Sequence, residues 1–126
     1  MANPQYERGR RFEYRCKAAL EAAGWHVWRT PGSKSPADLI ALREGHAPVL
    51  VQCKIGDSLF GTAELRVLRR LADACGAVAV SASKGLRRGS IIWRFVENSG
   101  LAYARVWPDD SLAERVKGAG DDGQTE

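Results

Sequence analysis

The sequence lacks any apolar run long enough to span a membrane. The residues before Pro4 also lack the apolar segment of a secretory signal. We therefore expect a cytoplasmic protein that has no membrane partner.

Cysteine and histidine are scarce, with three and two residues respectively. An odd number of cysteines without a secretory signal predicts reduced thiols rather than a disulfide framework. No pair among these residues has the spacing of a zinc site. Each cysteine falls on the apolar side of a predicted element, so we expect Cys16, Cys53 and Cys75 to pack in the core.

The chain is basic, and its charge is unevenly distributed. It has 126 residues, of which 44% are hydrophobic, enough for one domain with one core. Residues 118–126 contain three acids and no base, so the preceding residues carry 19 basic against 12 acidic side chains. That excess predicts a polyanionic partner, most simply nucleic acid. We expect a single domain over residues 1–117 and a disordered, acidic, glycine-rich tail over residues 118–126.

Hydrophobic periodicity predicts helices at residues 5–23 and 62–75, each followed by a glycine. Strands are predicted at residues 25–29, 38–42, 49–54, 77–83, 91–96 and 101–107, with a short helix at about 110–117. The order α-β-β-β-α-β-β-β predicts an α/β (α+β) fold with a central mixed β-sheet flanked by helices.

The hairpin between residues 38 and 54 gathers polar side chains at its open end. Asp38 begins one strand and Lys54 ends its neighbour, while strand alternation puts Gln52 and Lys54 on one face and the Cys53 side chain on the other. Oxygens from Asp38, Gln52 and the Cys53 backbone carbonyl are ligands that a hard divalent cation takes. Lys54 could then orient or deprotonate an attacking water and stabilise charge on the phosphate.

Glu13 borders the apolar stripe of the first helix, where a carboxylate needs a partner. A metal site at the sheet edge would supply one. The alternative is an exposed glutamate paired with Arg10 or Lys17. The hairpin itself also has three interpretations: an active site that tolerates Gln52, a disabled site, or an ordinary hairpin.

Five segments together resemble the PD-(D/E)xK nuclease superfamily, and within it the archaeal-type Holliday junction resolvases, which phages also encode. These segments are "RGRRFE" (8–13), "GWHVWRTPGSKSPADLIAL" (24–42), "QCK" (52–54), "CGAVAVSASK" (75–84) and "WRFVE" (93–97). The resemblance implies a restriction-endonuclease-like fold and a homodimer, in the cytoplasm of a prokaryote or of a phage host. It further implies Mg²⁺, with Mn²⁺ substituting and no small-molecule cofactor. The implied activity is cleavage of four-way or other branched DNA in recombination and repair.

The same resemblance assigns roles to individual residues. Asp38 matches a metal-binding aspartate, Glu13 a helix glutamate near the metal, and Lys54 the catalytic lysine. Ser33 matches a loop serine that approaches the scissile region, and Gln52 occupies the position of the usual metal-binding glutamate. The expected reaction is in-line attack of water on a phosphodiester, which leaves a 5′-phosphate and a 3′-hydroxyl.

A basic surface is expected to hold the DNA backbone without reading its sequence. Arg29 matches a phosphate-holding arginine of the family, and Lys84 matches a lysine at the end of the fourth strand. The predicted DNA-binding residues are Arg8, Arg10, Arg11, Arg15, Arg29, Lys34, Lys84, Arg87 and Arg88.

The sequence departs from the family at Gln52, and also at Tyr14, where relatives often have arginine. An amide oxygen is a weaker ligand than a carboxylate for a hard cation, but it does coordinate. We take the glutamine as native, as in some branches of the superfamily; the alternative is that it replaces a native glutamate. Two other functions therefore stay open: a catalytically weakened or inactive junction-binding protein, and a nuclease for flaps, nicks or ordinary duplex. The tryptophan-rich late strands and the apolar side of helix 62–75 are the surfaces that a dimer is expected to bury.

Overall fold

The computed structural model describes residues 4–30, 35–55, 62–97 and 100–103. These residues form two helices and six strands in the predicted order. The elements are α1 (Pro4–Ala22), β1 (His26–Arg29), β2 (Leu39–Leu42), β3 (Val49–Lys54), α2 (Thr62–Cys75), β4 (Val78–Lys84), β5 (Ile91–Glu97) and β6 (Gly100–Tyr103). The short helix predicted at 110–117 and the tail at 118–126 lie outside the described residues. Neither helix in the described ranges is long and apolar enough to cross a membrane.

The strands form one sheet in sequential order, β1 to β6. Only the β3–β4 pair is parallel among these neighbours, and α2 makes the crossover between the two strands. The prediction of a mixed sheet flanked by helices is therefore confirmed.

The two helices cover opposite faces of the sheet, because alternate residues of β3 belong to different clusters. Val49 and Val51 pack with Phe12 and Cys16 of α1. Leu50, between them, packs with Leu68 of α2. The buried hydrophobic residues of β4 alternate between the same two clusters. Side chains from both helices therefore meet the sheet where β3 ends.

Both helices end as the sequence predicts, at a glycine with positive φ. At the end of α1, Gly24 (φ 101°) donates to the Glu21 carbonyl and Trp25 donates to the Leu20 carbonyl. Gly76 (φ 67°) ends α2 with the same pair of bonds. This pattern is a Schellman motif, which satisfies the last carbonyls of a helix and favours glycine at the turn.

The prediction that all three cysteines pack in the core holds for Cys16, which is buried, and for Cys53, which packs against the cluster that contains Cys16, but it is wrong for Cys75. Cys53 is half-buried, and Cys75 is exposed. Cys75 is the last residue of α2 and lies about 60° around the helix from the buried Ala72. Because the same spacing separates Leu65 and Leu68, which both pack on the sheet, the exposure of Cys75 reflects its place at the end of the helix.

Candidate active site

Four chain segments meet at one edge of the sheet. β1 ends there at Arg29, β2 begins there after Asp38, and the parallel strands β3 and β4 end there at Lys54 and Lys84. The first half of α1 reaches the same edge, because Glu13 contacts Arg29. The topology thus gathers the predicted catalytic residues that lie in the described ranges.

Asp38 is held at this edge by main-chain bonds. Its Oδ2 accepts a hydrogen bond of 2.8 Å from the Cys53 N–H. Its own N–H donates to the Val51 carbonyl, and its carbonyl accepts from the Thr30 N–H. The carboxyl group is therefore fixed against the end of β3.

Burial raises the pKa of Asp38 from 3.8 to about 6. The hydrogen bond from Cys53 and the charge of Arg29 act in the opposite direction, while the negative charges of Glu13 and Glu64 raise the pKa further. The ionised carboxylate is thus disfavoured by its surroundings. A positive charge placed beside it would reverse that preference, and shifts of this kind are frequent at functional sites.

Gln52 and Lys54 share one face of β3, as strand alternation predicts, and both reach a carboxylate on α2. The Gln52 Nε2 lies 3.5 Å from the Glu64 Oε2, at the long limit of a hydrogen bond. The Lys54 Nζ lies 3.6 Å from the Glu64 Oε1. The Gln52 Oε1 is buried and has no hydrogen-bond partner among the described residues.

Cys53 points to the other face, toward α1. A hydrogen bond to the Cys16 thiol, together with burial, raises the pKa of the Cys53 thiol. Its main-chain N–H bonds Asp38, and both main-chain groups of a strand residue face the same side. The Cys53 carbonyl is thus directed to the side where Asp38 lies, which is the orientation that a backbone ligand requires.

Glu13 pairs with Arg29 rather than with Arg10 or Lys17. The Arg29 Nε donates to the Glu13 Oε1 at 2.8 Å, and both side chains are 22% exposed. This bond raises the pKa of Arg29, while Lys17 pairs with Glu21 instead. Arg29 is therefore anchored at the edge of the site, and the proposed alternative partners of Glu13 are wrong.

Tyr14 joins the same group on α1. Its ring lies 5.0 Å from the Arg29 guanidinium carbon and 5.8 Å from that of Arg10. A hydrogen bond from Arg10 and the charge of Arg29 lower the pKa of Tyr14. Tyr14, one of the two residues that depart from the family, thus lies against two arginines at the rim of the site.

Part of the predicted basic surface is exposed in the described residues. Arg8, Arg10 and Arg11 are exposed on α1, and Lys84, Arg87 and Arg88 are exposed at the end of β4 and in the turn that follows. Arg15 instead stacks over Phe12 at 5.6 Å, and its Nη2 is buried without a partner in the described ranges. Ser33 and Lys34 lie outside the described residues, so their roles stay predictions.

Sequence reasoning missed two residues near Gln52. Glu64 lies in the first turn of α2. The signal in the sequence was an acidic residue in the first turn of the helix that follows β3. Ser81 lies beside Gln52 in the parallel β3–β4 register. It is fully buried, and its Oγ has no hydrogen-bond partner in the part of the chain that the structure describes. Its position depends on strand register, which the sequence does not reveal.

The donor types at this edge fit a hard divalent cation. Asp38 offers a carboxylate, Gln52 a buried amide oxygen without a partner among the described residues, and Cys53 a main-chain carbonyl. No group of three His, Cys, Asp or Glu side chains within the described ranges is placed to hold a metal. A further carboxylate would have to come from Glu13 or Glu64, each of which is now in an ion pair.

Comparison with known proteins identifies the family of the chain. A family model described as restriction endonuclease (Mrr_cat) matches residues 6–86. A solved structure of Archaeoglobus fulgidus Hjc, described as a Holliday junction resolvase from an archaeal hyperthermophile, is 28% identical over 70% of each chain, with a TM-score of 0.57. A search of curated proteins found no match.

The family match spans well over half of the chain. It includes Asp38, Gln52, Lys54, the whole of β4, and α1 except for its first two residues. Nucleases of this kind use divalent metal ions. The chain therefore belongs to the restriction endonuclease family and is a nuclease.

Proposed function

We propose that this nuclease resolves four-way DNA junctions as a homodimer. It would use Mg²⁺, with Mn²⁺ able to substitute, and leave a 5′-phosphate at each cut. The observation that carries the choice of substrate is the likeness to the archaeal resolvase, which extends over 70% of both chains. The exposed arginines and lysines around the site support a DNA substrate that is held by its backbone.

Asp38, Gln52 and the Cys53 carbonyl would hold the cation, with Glu13 nearby. When bound, the ion supplies positive charge that neutralises the scissile phosphate and lowers the pKa of water. Asp38 is fixed for this task by the Cys53 N–H.

Lys54 and Arg29 would act on the substrate phosphates. The Lys54 side chain is 33% exposed, and its ammonium stands on the same face as Gln52. It can orient the attacking water and stabilise the negative charge that develops on the phosphate. Arg29 is held by Glu13 and would position the phosphate backbone.

Where the structure describes them, the dimer surfaces expected from the sequence are buried within the chain, and residues 104–107 of the last predicted strand lie outside the described residues. Trp93 is buried in the chain's own core, and Leu68 of α2 is buried against its own sheet. Trp28 and Leu42 are instead 55% and 39% exposed on neighbouring strands. They lie on the face whose covering helix, α2, packs on β3, β4 and β5. Two opposed cuts need two active sites, and this apolar patch offers an area for a second copy to cover.

The test is cleavage of an end-labelled four-way junction beside a linear duplex of matched sequence, each with Mg²⁺, Mn²⁺ or EDTA. The proposal expects paired cuts in the junction alone that require metal. Asp38→Asn and Lys54→Met serve as inactive controls for contaminating nuclease. Equal cleavage of the linear duplex would contradict junction selectivity and favour a general nuclease.

Gln52 supports a second candidate, a junction-binding protein whose catalysis is weak or lost. It predicts binding of the junction without cleavage in any metal, and strong cleavage by Gln52→Glu. Robust cleavage by the wild type would exclude it. Sedimentation of the protein with and without junction tests the homodimer in the same preparation.

A further inference from the structure

The Glu64 carboxylate contacts both Gln52 and Lys54. Its two oxygens lie 3.5 Å from the Gln52 Nε2 and 3.6 Å from the Lys54 Nζ. The side chain is 48% exposed, so it can change its partner without disturbing the core.

The two ends of the Gln52 amide lie in different surroundings. Its nitrogen faces Glu64, and its oxygen is buried without a hydrogen-bond partner in the described ranges. The neighbouring Ser81 Oγ, on the same face of the sheet, is buried and lacks a partner within the same ranges. Buried acceptors of this kind are normally satisfied by an ion, a water or another group.

A glutamate at position 52 could not make the same contact, because its two oxygens would repel the Glu64 carboxylate. The amide removes that repulsion and donates to Glu64 instead. Gln52 and Glu64 are thus complementary: the charge absent from β3 is present on the first turn of α2.

An exposed ion pair with Lys54 is a weak structural reason for this carboxylate, since such pairs contribute little to stability. Its contacts are with the residues on either side of Cys53, whose N–H holds Asp38, so two carboxylates converge on the end of β3 and repel each other without a cation between them. The arrangement is explained if Glu64 leaves Lys54 for a cation.

We propose that Glu64 is the missing acid of the metal site, so that Gln52 and Glu64 together replace the single motif glutamate. Glu64 would bind the divalent cation beside Asp38, and Lys54 would be released toward the substrate phosphate. The proposal depends on the metal site of the proposed function, but not on the junction as substrate.

The experiment measures Mn²⁺ binding without DNA by titration calorimetry. Four proteins are compared: wild type, Glu64→Gln, the charge swap Gln52→Glu with Glu64→Gln, and the control Glu44→Gln. Glu44 is exposed in the turn at the opposite end of the β2–β3 hairpin, so its variant loses the same charge far from the site.

Glu64→Gln should weaken Mn²⁺ binding by roughly tenfold or more, since ligand charge sets the affinity for hard cations. Glu44→Gln should stay within about twofold of wild type, because a distant exposed charge is screened by salt. The charge swap should recover affinity to within about threefold of wild type, since it returns the carboxylate to β3 at the same net charge. Circular dichroism of each protein confirms that it is folded.

Wild-type affinity in Glu64→Gln would overturn the proposal, as would a charge swap that binds no better than Glu64→Gln alone. A wild type that does not bind Mn²⁺ would overturn it too. Junction cleavage is scored separately: a wild type that cuts junctions while Glu64→Gln binds Mn²⁺ normally refutes only this inference. Loss of Mn²⁺ binding in Glu64→Gln, together with no junction cleavage by the wild type, refutes only the junction substrate.

Discussion

Replacing Asp38 by asparagine should stabilise the metal-free protein. The carboxyl group is half-buried, and its pKa rises from 3.8 to about 6 because burial disfavours the ionised form. That rise corresponds to about 3 kcal/mol for a fully buried group. Partial exposure reduces the figure to about 1–2 kcal/mol. Asparagine keeps an oxygen that can accept the Cys53 N–H, so the main-chain contact survives.

The gain in stability from Asp38→Asn should increase as the pH rises. The folded state binds the Asp38 proton more tightly than the unfolded state does. Wild type therefore loses stability as the pH rises from 3.8 to about 6, and the loss is complete above that window. Asp38→Asn does not titrate at this position, so its advantage should be small near the lower limit and constant above the upper one.

Urea unfolding of both proteins in EDTA, from about pH 4 to about pH 8, measures the difference in free energy of unfolding. Asp73→Asn is the matched control, since Asp73 is exposed on α2 and pairs with Arg69. It should change stability by about 0.5 kcal/mol or less at every pH. A difference between Asp38→Asn and wild type that does not vary with pH, or an asparagine variant that is less stable above the window, would refute burial as the cause.

Three further predictions concern separate parts of the chain. Lys54→Met should abolish cleavage but bind the junction within about tenfold of wild type, as measured by gel cleavage and fluorescence anisotropy, because the role proposed for Lys54 is charge stabilisation. Gly24→Ala should lower the free energy of unfolding in urea by about 1 kcal/mol, since φ is 101° there, whereas Gly9→Ala, in open space within α1, should raise it by about 0.5–1 kcal/mol. Substituting Arg87 and Arg88 together by alanine should reduce the slope of log affinity against log salt by about 2, if each contacts one phosphate; an unchanged slope would remove both residues from the interface.

Much of the fold follows from local signals in the sequence. The glycines at positions 24 and 76 end their helices through main-chain bonds that depend on those residues alone. The alternation of β3 then places Gln52 and Lys54 on one face and Cys53 on the other. Such features were predictable because each depends on neighbours in the chain.

Features that depend on distant pairing were not predictable. Arg29 was expected to hold DNA, and its bond to Glu13 arises from the packing of α1 on β1. Ser81 meets Gln52 only because β3 and β4 are parallel in one particular register. The exposure of Cys75 likewise reflects where α2 leaves the sheet, not its hydrophobic pattern.

The two ion pairs of the site lie on opposite faces of the sheet. Glu13 pairs with Arg29 on the α1 side of the sheet, and Glu64 pairs with Lys54 on the α2 side. The negative charges of Glu13 and Glu64 both raise the pKa of Asp38, which has no ion pair of its own within the described ranges. A divalent cation beside Asp38 would complete the charge balance and compete with Lys54 for Glu64. Metal binding would then also release Lys54 toward the phosphate. The unfavourable burial of the Asp38 carboxylate in the metal-free protein would thus follow from its role in binding the metal.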